Sequence, residues 1–163
     1  MTCRQTLCAA IALLCLVAGA RAESWQATVT HVTDGDTLWV RHDEHSKPVK
    51  VRLDHMDAPE ICQAGGRAAR DMLRARVAGH EVRVTVSRRD DYGRWIANVS
   101  HDGTDIAGWM VARGQAWSYR YGREGGPLLK LQLRAQAARV GLFADAAAEA
   151  PHVFRKVHGP CNR

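Results

Sequence analysis

The feature that most restricts the fold of this chain is a series of short segments in which apolar and polar residues alternate. Such alternation, with valine prominent, is typical of strands that bury one face. A stretch with helical spacing separates the third of these segments from the fourth. The predicted strands cover residues 25–32, 37–42, 49–54, 80–88 and 94–100, with predicted helices at 63–77, 104–113 and 128–140.

The order of these elements describes an α+β chain. Three strands, one helix, two strands and two helices fit a small five-stranded Greek-key barrel of the OB type with about three helices. An α+β open sheet fits the same order almost as well. The pattern alone therefore leaves two architectures open.

The first 22 residues have the composition of a secretory signal peptide. Arg4 gives a positive start, residues 7–19 form an apolar run, and residues 20–22 supply the small-x-small pattern of a signal-peptidase site. The apolar run is too short for a membrane span, which needs about 20 residues. We therefore expect cleavage after Ala22 and a periplasmic or secreted mature chain, 23–163. The alternative is an N-terminal anchor that stays attached.

The mature chain is basic and has the length of a single domain. Removal of Arg4 and Arg21 leaves 21 Lys and Arg residues against 17 Asp and Glu residues, a net charge of +4. This excess suits a polyanionic partner such as nucleic acid, although many basic proteins bind none. We expect a monomer with no stable membrane association after cleavage. Its basic tail, from about residue 151, is expected to be irregular.

Two cysteines, Cys62 and Cys161, remain after removal of the leader. In an exported protein, two remaining cysteines favour one disulfide. The alternatives are two free thiols, or a bond from Cys161 to another molecule. Neither cysteine has a second Cys or His at the short spacing that zinc sites use, which argues against a structural zinc.

Three short segments place acidic residues and arginines beside turns. In the first, residues 33–37, Asp34 and Asp36 flank Gly35. The two residues are two positions apart in sequence, so in a strand both side chains can face one site. Carboxylate oxygens are the preferred ligands of hard cations such as calcium. The alternative is a plain β-turn, since Asp-Gly is a common turn pair.

The second segment, residues 51–60, ends an apolar strand with several ionisable side chains. Arg52 and Asp57 have opposite strand parity, so they can meet only if the strand ends or bulges before Asp57. The proline at position 59 makes such an end plausible. Glu60 is then able to point back towards the same site. The alternative is a solvated loop.

The third segment, residues 90–94, lies between two predicted strands. As a plain hairpin, it needs Gly93 for its turn geometry. As part of a site, it offers the planar fork of Arg94 to a phosphate and the ring of Tyr92 to a base or sugar.

Together the three segments supply what phosphodiester hydrolysis needs. Metal ligands, a carboxylate that orients or deprotonates water, and positive groups that hold the developing charge are all present. The motifs are Asp34-Gly35-Asp36-Thr37, Arg52 with Asp57-Ala58-Pro59-Glu60, and Tyr92-Gly93-Arg94. In order and spacing, residues 25–144 resemble the thermonuclease (staphylococcal nuclease-like) family.

The resemblance implies an OB-fold barrel with three helices and a calcium-dependent nuclease site. It assigns Asp36 and Asp57 as carboxylate ligands of Ca²⁺ and Ala58 as a backbone carbonyl ligand. Glu60 is implied to be the general base or the water-orienting group. The implied phosphate-binding residues are Arg52 and Arg94, the implied nucleotide contacts are Tyr92, Tyr119 and Tyr121, and Asp34 supports the ligands.

We therefore expect an exported calcium-dependent nuclease that hydrolyses phosphodiester bonds of DNA, RNA or both. The alternative is a non-catalytic OB-fold module that binds nucleic acid. A degenerate module would be expected to have lost part of the site, but all five of Asp36, Asp57, Glu60, Arg52 and Arg94 are present. An exported protein whose basic face binds polysaccharide is a third possibility, which no residue requires.

Overall fold

The structure is a computed structural model that describes residues 23–119 and 125–161. The predicted signal peptide and Tyr121 lie outside this part. The strands are β1 (Ser24–Val32), β2 (Thr37–Arg41), β3 (Val49–Leu53), β4 (Met56–Asp57), β5 (Glu81–Arg89), β6 (Trp95–His101), β7 (Thr104–Asp105) and β8 (Trp117–Ser118). The helices are α1 (Gly66–Val77), α2 (Ile106–Ala112), α3 (Leu129–Ala137) and α4 (Pro151–His158), with a 3₁₀ turn at Gly141–Ala144. None of the helices in these ranges has the length and apolar character needed to cross a membrane.

Five strands close into a barrel. Strand β1 pairs antiparallel with β2 and β5, β2 pairs with β3, and β5 pairs with β6. A parallel pairing of β3 with β6 completes the ring and sets Val51 opposite Trp95. The predicted five-stranded α+β barrel of the OB type is confirmed. The open sheet is wrong, because the β3–β6 pairing joins the two edges that an open sheet would leave free.

The barrel forms because alternate residues of its strands point inwards. In β5, Val82 and Val84 are buried while the residue between them is exposed. In β1, the register shifts between Val29 and His31, and this bulge keeps Val32 on the inner face despite the change of parity. Periodicity of two thus accounts for most of the core.

Helix α1 packs against β1 through a stripe of small and aliphatic side chains. The stripe consists of Ala69, Leu73 and Val77, spaced four residues apart. The sequence predicts Ala68 and Met72 on this face as well. Ala68 is instead exposed and Met72 is half-buried. The buried four-residue repeat of α1 begins at Ala69, one position after Ala68.

The C-terminal tail is a helix, so the prediction of an irregular tail is wrong. Pro151 occupies the first turn of α4, where a missing backbone N–H leaves no hydrogen bond unmade. Gly159 follows the last helical residue with a φ of 71°, a conformation in which glycine pays no steric penalty. The described chain therefore has four α-helices, where the sequence predicted about three.

Candidate active site

Gly35 allows the turn between β1 and β2 to lie against the end of the barrel. A Cβ added at this position would come within 2.7 Å of the Ala58 Cβ and 2.8 Å of the Ala69 Cβ, so a side chain does not fit. Inside the turn, the Asp36 N–H donates to Asp34 Oδ1 at 3.2 Å. Asp36 is only 4% exposed. The turn thus carries a buried carboxylate next to Ala58.

Asp57 reaches the same site because the chain turns sharply after β3. The strand ends at Leu53, and His55 adopts a φ of 66° in the turn that follows. Asp54 Oδ1 stabilises this turn by accepting a hydrogen bond from the His55 N–H at 2.9 Å. The break reverses the parity of the residues beyond it. Arg52 and Asp57 consequently face each other, as the sequence requires of a shared site.

Arg52 bridges the two buried carboxylates. Its Nη1 lies 2.7 Å from Asp36 Oδ2, and its Nη2 lies 2.8 Å from Asp57 Oδ1. Asp36 also accepts hydrogen bonds from the Ala58 N–H at 3.2 Å and from the Thr37 hydroxyl at 2.9 Å. Burying a charge costs several kcal/mol, roughly, unless it is paired and hydrogen-bonded. These contacts explain how the carboxylates remain buried at one point.

The electrostatics of the cluster are dominated by burial. Burial raises the pKa of Asp36 to about 7; the Arg52 charge opposes this shift, and the nearby carboxylates of Asp34 and Asp57 add to it. Burial alone would lower the pKa of Arg52, but Asp36 and Asp57 outweigh it and raise that pKa above its usual range. A carboxylate whose pKa is raised beside other carboxylates indicates a cluster that an added cation would stabilise.

Glu60 lies at the solvent-facing rim of this cluster. The chain doubles back after it, and a Cβ on Gly66 would overlap the carbonyl oxygen of Glu60, so glycine is required there. The Glu60 N–H donates to Gln63 Oε1 at 3.2 Å, which fixes the backbone. The side chain is partly exposed, and its Oε1 lies 3.0 Å from Nη1 of Arg155. Glu60 is therefore accessible both to the cluster and to water.

Arg155, on α4, is a site residue that the sequence reasoning missed. Its Nη1 and Nη2 lie 3.1 and 2.8 Å from Oδ1 and Oδ2 of Asp57, and Nη1 also contacts Glu60. The signal that could have located it is the cysteine pair. Since Cys62 follows Glu60 by two residues, a bond from Cys161 to Cys62 brings the tail to the site.

A disulfide between Cys62 and Cys161 attaches the tail to the loop that carries Glu60. The two Cα atoms are 5.8 Å apart although the residues are separated by 99 positions in sequence. Before α4, Gln63 Nε2 donates to the Glu149 carbonyl oxygen at 2.7 Å. Among the alternatives that the sequence leaves open, the structure contains the internal bridge.

The β5–β6 hairpin holds Arg94 in a local ion pair. Both Nε and Nη2 of Arg94 lie 2.7 Å from Asp90 Oδ2, and Asp90 Oδ1 accepts from the N–H groups of Tyr92 and Arg94. Burial raises the pKa of Asp90, but the hydrogen bonds and charge of Arg94, with the hydrogen bond from Tyr92, together outweigh it and lower that pKa below its ordinary value. Tyr92 is 84% exposed, so its ring is open to a ligand.

The segment around β8 borders the site through its backbone. Trp117 pairs with Asp57 in the two-stranded sheet of β4 and β8, and the Tyr119 N–H donates to the His55 carbonyl oxygen at 2.8 Å. Tyr119 thus lies beside the turn that positions Asp57. The Trp117 ring packs edge-on against Phe143 at 5.3 Å and lines a cavity of about 590 Å³ with both apolar and polar walls.

Comparison with known proteins decides the family. The family model described as Staphylococcal nuclease homologue matches residues 50–145. The chain belongs to this family. The match confirms the resemblance that the sequence motifs indicate, and it includes Arg52, Asp57, Glu60 and Arg94.

Individual relatives match most of the chain. An "Uncharacterized endonuclease" of Escherichia coli O157:H7 is 39% identical over 128 residues, which is 78% of this chain and 82% of the relative. "Protein ParB" of Escherichia coli is 37% identical over 159 residues, covering 91% and 88% of the two chains. "Micrococcal nuclease" of Shigella flexneri is 32% identical over 160 residues, or 90% of each chain.

Of the three metal ligands that the resemblance implies, Asp36 and Asp57 are side-chain carboxylates and Ala58 is a backbone carbonyl. Across residues 23–119 and 125–161, no three Asp, Glu, His or Cys side chains converge as a complete metal site. Arg52 does bring Asp36 and Asp57 together, and Ala58 adjoins both through the backbone. Carboxylate and carbonyl oxygens of this kind suit calcium or magnesium, whereas zinc prefers nitrogen and sulfur ligands. The donor set therefore fits the hard cation that the resemblance implies.

Proposed function

We propose that this protein is an exported, calcium-dependent nuclease that hydrolyses phosphodiester bonds of DNA, RNA or both. The observation that carries the proposal is the bridge from Arg52 to two buried carboxylates, with Glu60 at the rim of the same cluster. The relatives named endonuclease and micrococcal nuclease support the same class of reaction.

The carboxylates of Asp36 and Asp57, with the carbonyl oxygen of Ala58, would hold the calcium ion. When bound, the ion supplies positive charge to the phosphate and polarises it for attack. The raised pKa of Asp36 supports this assignment, because nearby positive charge stabilises the ionised carboxylate. Arg52, whose guanidinium lies between the two carboxylates, would donate hydrogen bonds to a phosphate oxygen.

Glu60 is suited to activate the attacking water. As the water oxygen forms its bond to phosphorus, Glu60 accepts the water proton; the bond from phosphorus to the ester oxygen breaks, and that oxygen takes a proton from solvent. Arg52 and Arg94 hold the negative charge that builds up on the phosphate. For Arg94, this role requires exchange of its Asp90 partner for the phosphate.

Nucleotide binding and export complete the proposal. Tyr92, Tyr119 and Tyr121 are the proposed contacts to base or sugar, and the exposed ring of Tyr92 offers a stacking surface. Cleavage after Ala22 would deliver a periplasmic or secreted monomer without stable membrane association. The disulfide supports export, because disulfides persist mainly in oxidising compartments.

One assay tests the activity directly. The mature chain, residues 23–163, is incubated with plasmid, single-stranded DNA and RNA in calcium, magnesium or EDTA. We expect cleavage in calcium and none in EDTA. A folded Glu60→Gln variant purified in the same way should cleave at least about a hundredfold more slowly, which controls for contaminating nuclease. Binding of oligonucleotides without cleavage under every condition would instead favour the non-catalytic OB-fold module.

Export requires a separate test. The full-length chain is expressed in a bacterium and the cells are fractionated. A product whose N-terminus is residue 23, found in the periplasm or medium, is the expected result. An intact N-terminus in the membrane fraction would show that the leader remains as an anchor.

A further inference from the structure

We propose that Arg155 is a substrate-binding residue of this site, a phosphate-binding arginine supplied by helix α4. The proposal rests on the proposed nuclease function. Arg155 lies beyond residues 50–145, the part of the chain matched by the family model, so the case depends on the geometry of this chain.

The first argument is that Arg155 is placed in the same way as Arg52. Each guanidinium joins Asp57 to a second carboxylate. Arg52 reaches Asp36 at 2.7 Å, and Arg155 reaches Glu60 at 3.0 Å. Arg155 also engages both oxygens of Asp57, the paired geometry in which a guanidinium matches a carboxylate or a phosphate. A residue that shares the placement of Arg52 is a candidate for the same role.

The second argument concerns what happens to these pairs during the reaction. The proposed mechanism assigns Asp57 to a calcium ion and Glu60 to the attacking water. Arg155 would then need a new anionic partner, since its guanidinium carries a permanent charge and its side chain is only 31% exposed. The scissile phosphate is the anion that this reaction brings to the cluster. Transfer of Arg155 from carboxylate to phosphate keeps the guanidinium paired throughout.

The third argument is that Arg155 is held in position on both sides along the chain. Before α4, Gln63 binds the carbonyl oxygen of Glu149. After α4, Cys161 is bonded to Cys62, next to the loop that carries Glu60. A mobile surface arginine would have to be ordered whenever substrate binds, whereas this one is ordered beforehand. The attachment holds the whole helix, and its contacts with Asp57 and Glu60 set Arg155 apart from Lys156, its exposed neighbour.

The test compares Arg155→Gln and Arg155→Lys with Lys156→Gln in the mature, disulfide-bonded chain. Lys156 is exposed on the same helix, so Lys156→Gln is matched to Arg155→Gln in charge and location. Turnover and KM are measured on a single-stranded oligonucleotide in saturating calcium. We expect Arg155→Gln to lower kcat/KM about a hundredfold. Lysine should restore only part of the loss, because it lacks the planar fork, and Lys156→Gln should change kcat/KM less than about threefold.

A second readout is calcium affinity without substrate, taken from melting temperatures at increasing calcium concentrations. Here Arg155→Gln should bind calcium more tightly than wild type, because one cation that competes for Asp57 has been removed. If kcat/KM stays at or above the wild-type value, Arg155 only competes with the metal and the proposal is wrong. If activity and calcium affinity fall together, Arg155 merely maintains the carboxylates, which also overturns it.

Two further outcomes remain decisive. Should Arg155→Gln fail to fold, the lysine variant takes its place, and wild-type kcat/KM in that variant would refute a need for the guanidinium fork. Should the wild-type protein cleave no nucleic acid, the proposed function fails by itself. Oligonucleotide affinity then tests Arg155, and equal affinities of Arg155→Gln and Lys156→Gln would overturn its role as a phosphate-binding residue.

Discussion

The end of β3 and the β5–β6 hairpin each present one arginine of the proposed site, but in different surroundings. Arg52 is 18% exposed and bridges two carboxylates that are almost fully buried. Arg94 is 21% exposed and pairs with Asp90 of its own hairpin, which is itself partly exposed. The two arginine side chains are similarly exposed, but their carboxylate partners differ in how deeply they are buried and in which segment of the chain they come from. Arg52 joins segments that only the fold brings together, whereas the pair of Arg94 is complete within five residues.

This contrast predicts a large difference in stability. Arg52→Gln should destabilise the metal-free protein by about 3–5 kcal/mol, because it leaves buried Asp36 without its arginine and Asp57 with Arg155 alone. Arg94→Gln, which breaks a partly exposed pair, should cost up to about 1 kcal/mol. Urea unfolding of both variants in EDTA measures the difference. Equal losses would mean that the hairpin pair is as important to the fold as the buried bridge.

Activity should not follow the same contrast. If the phosphate draws Arg94 away from Asp90, Arg94→Ala should lower turnover at least about a hundredfold, as should Glu60→Gln. Both substitutions leave the Arg52 bridge in place. Initial rates on a defined oligonucleotide are compared with melting temperatures, so that misfolding is recognised. Wild-type turnover in folded Arg94→Ala would mean that Arg94 only stabilises the hairpin and takes no part in catalysis.

The two regions should also respond to pH with opposite sign. Because the fold raises the pKa of Asp36 from 3.8 to about 7, its contribution to stability is complete below pH 3.8 and is lost as pH rises through 7. Because the fold lowers the pKa of Asp90, its contribution is present above its ordinary pKa and is lost as pH falls through the lowered value.

Metal-free melting curves of Asp36→Asn and Asp90→Asn against wild type measure these contributions. Relative to wild type, Asp36→Asn should gain stability as pH rises from 4 to 8, and Asp90→Asn should gain stability as pH falls below 4. Calcium at pH 8 should stabilise wild type more than Asp36→Asn. A pH-independent difference for Asp36→Asn would contradict the raised pKa.

The smallest expected effect belongs to the exposed tip of the hairpin. Tyr92→Ala should raise KM about fivefold, which corresponds to the loss of one weak stacking contact worth about 1 kcal/mol. Thermal stability should stay close to the wild-type value, since the ring is 84% exposed. Tyr92→Phe serves as the control and should retain wild-type KM. Unchanged KM in the alanine variant would remove Tyr92 from the substrate contacts.

The sequence predicts the barrel strands well because their signal is local. Alternation such as that of Val82 and Val84 depends only on neighbouring residues. Closure of the barrel is different, since the β3–β6 pairing joins Val51 to Trp95 across an intervening helix and hairpin. No pattern within either strand specifies that partner. The open sheet therefore could not be rejected before the structure was known.

Site residues can be predicted from the sequence where they lie within one short motif. They cannot be predicted where the fold alone brings distant residues into contact. Arg52 and Asp57 can be predicted to meet only if the strand breaks, and the break depends on the positive φ of His55. In the tail, basic residues obscured a helix that Pro151 and Gly159 delimit. Arg155 could not be assigned to the site without knowing that this helix forms.

The disulfide changes how the two ends of the site are connected. Glu60 and Arg155 are 95 residues apart along the backbone, but across the bridge the path is two residues on the Cys62 side and six on the Cys161 side. Loop-closure entropy grows with the logarithm of loop length, so bringing the pair together costs about 2 kcal/mol less in the bridged chain. Residues 62–161 form a covalent ring. A single backbone cut between residues 63 and 155 would open that ring without separating the fragments or lengthening the path from Glu60 to Arg155.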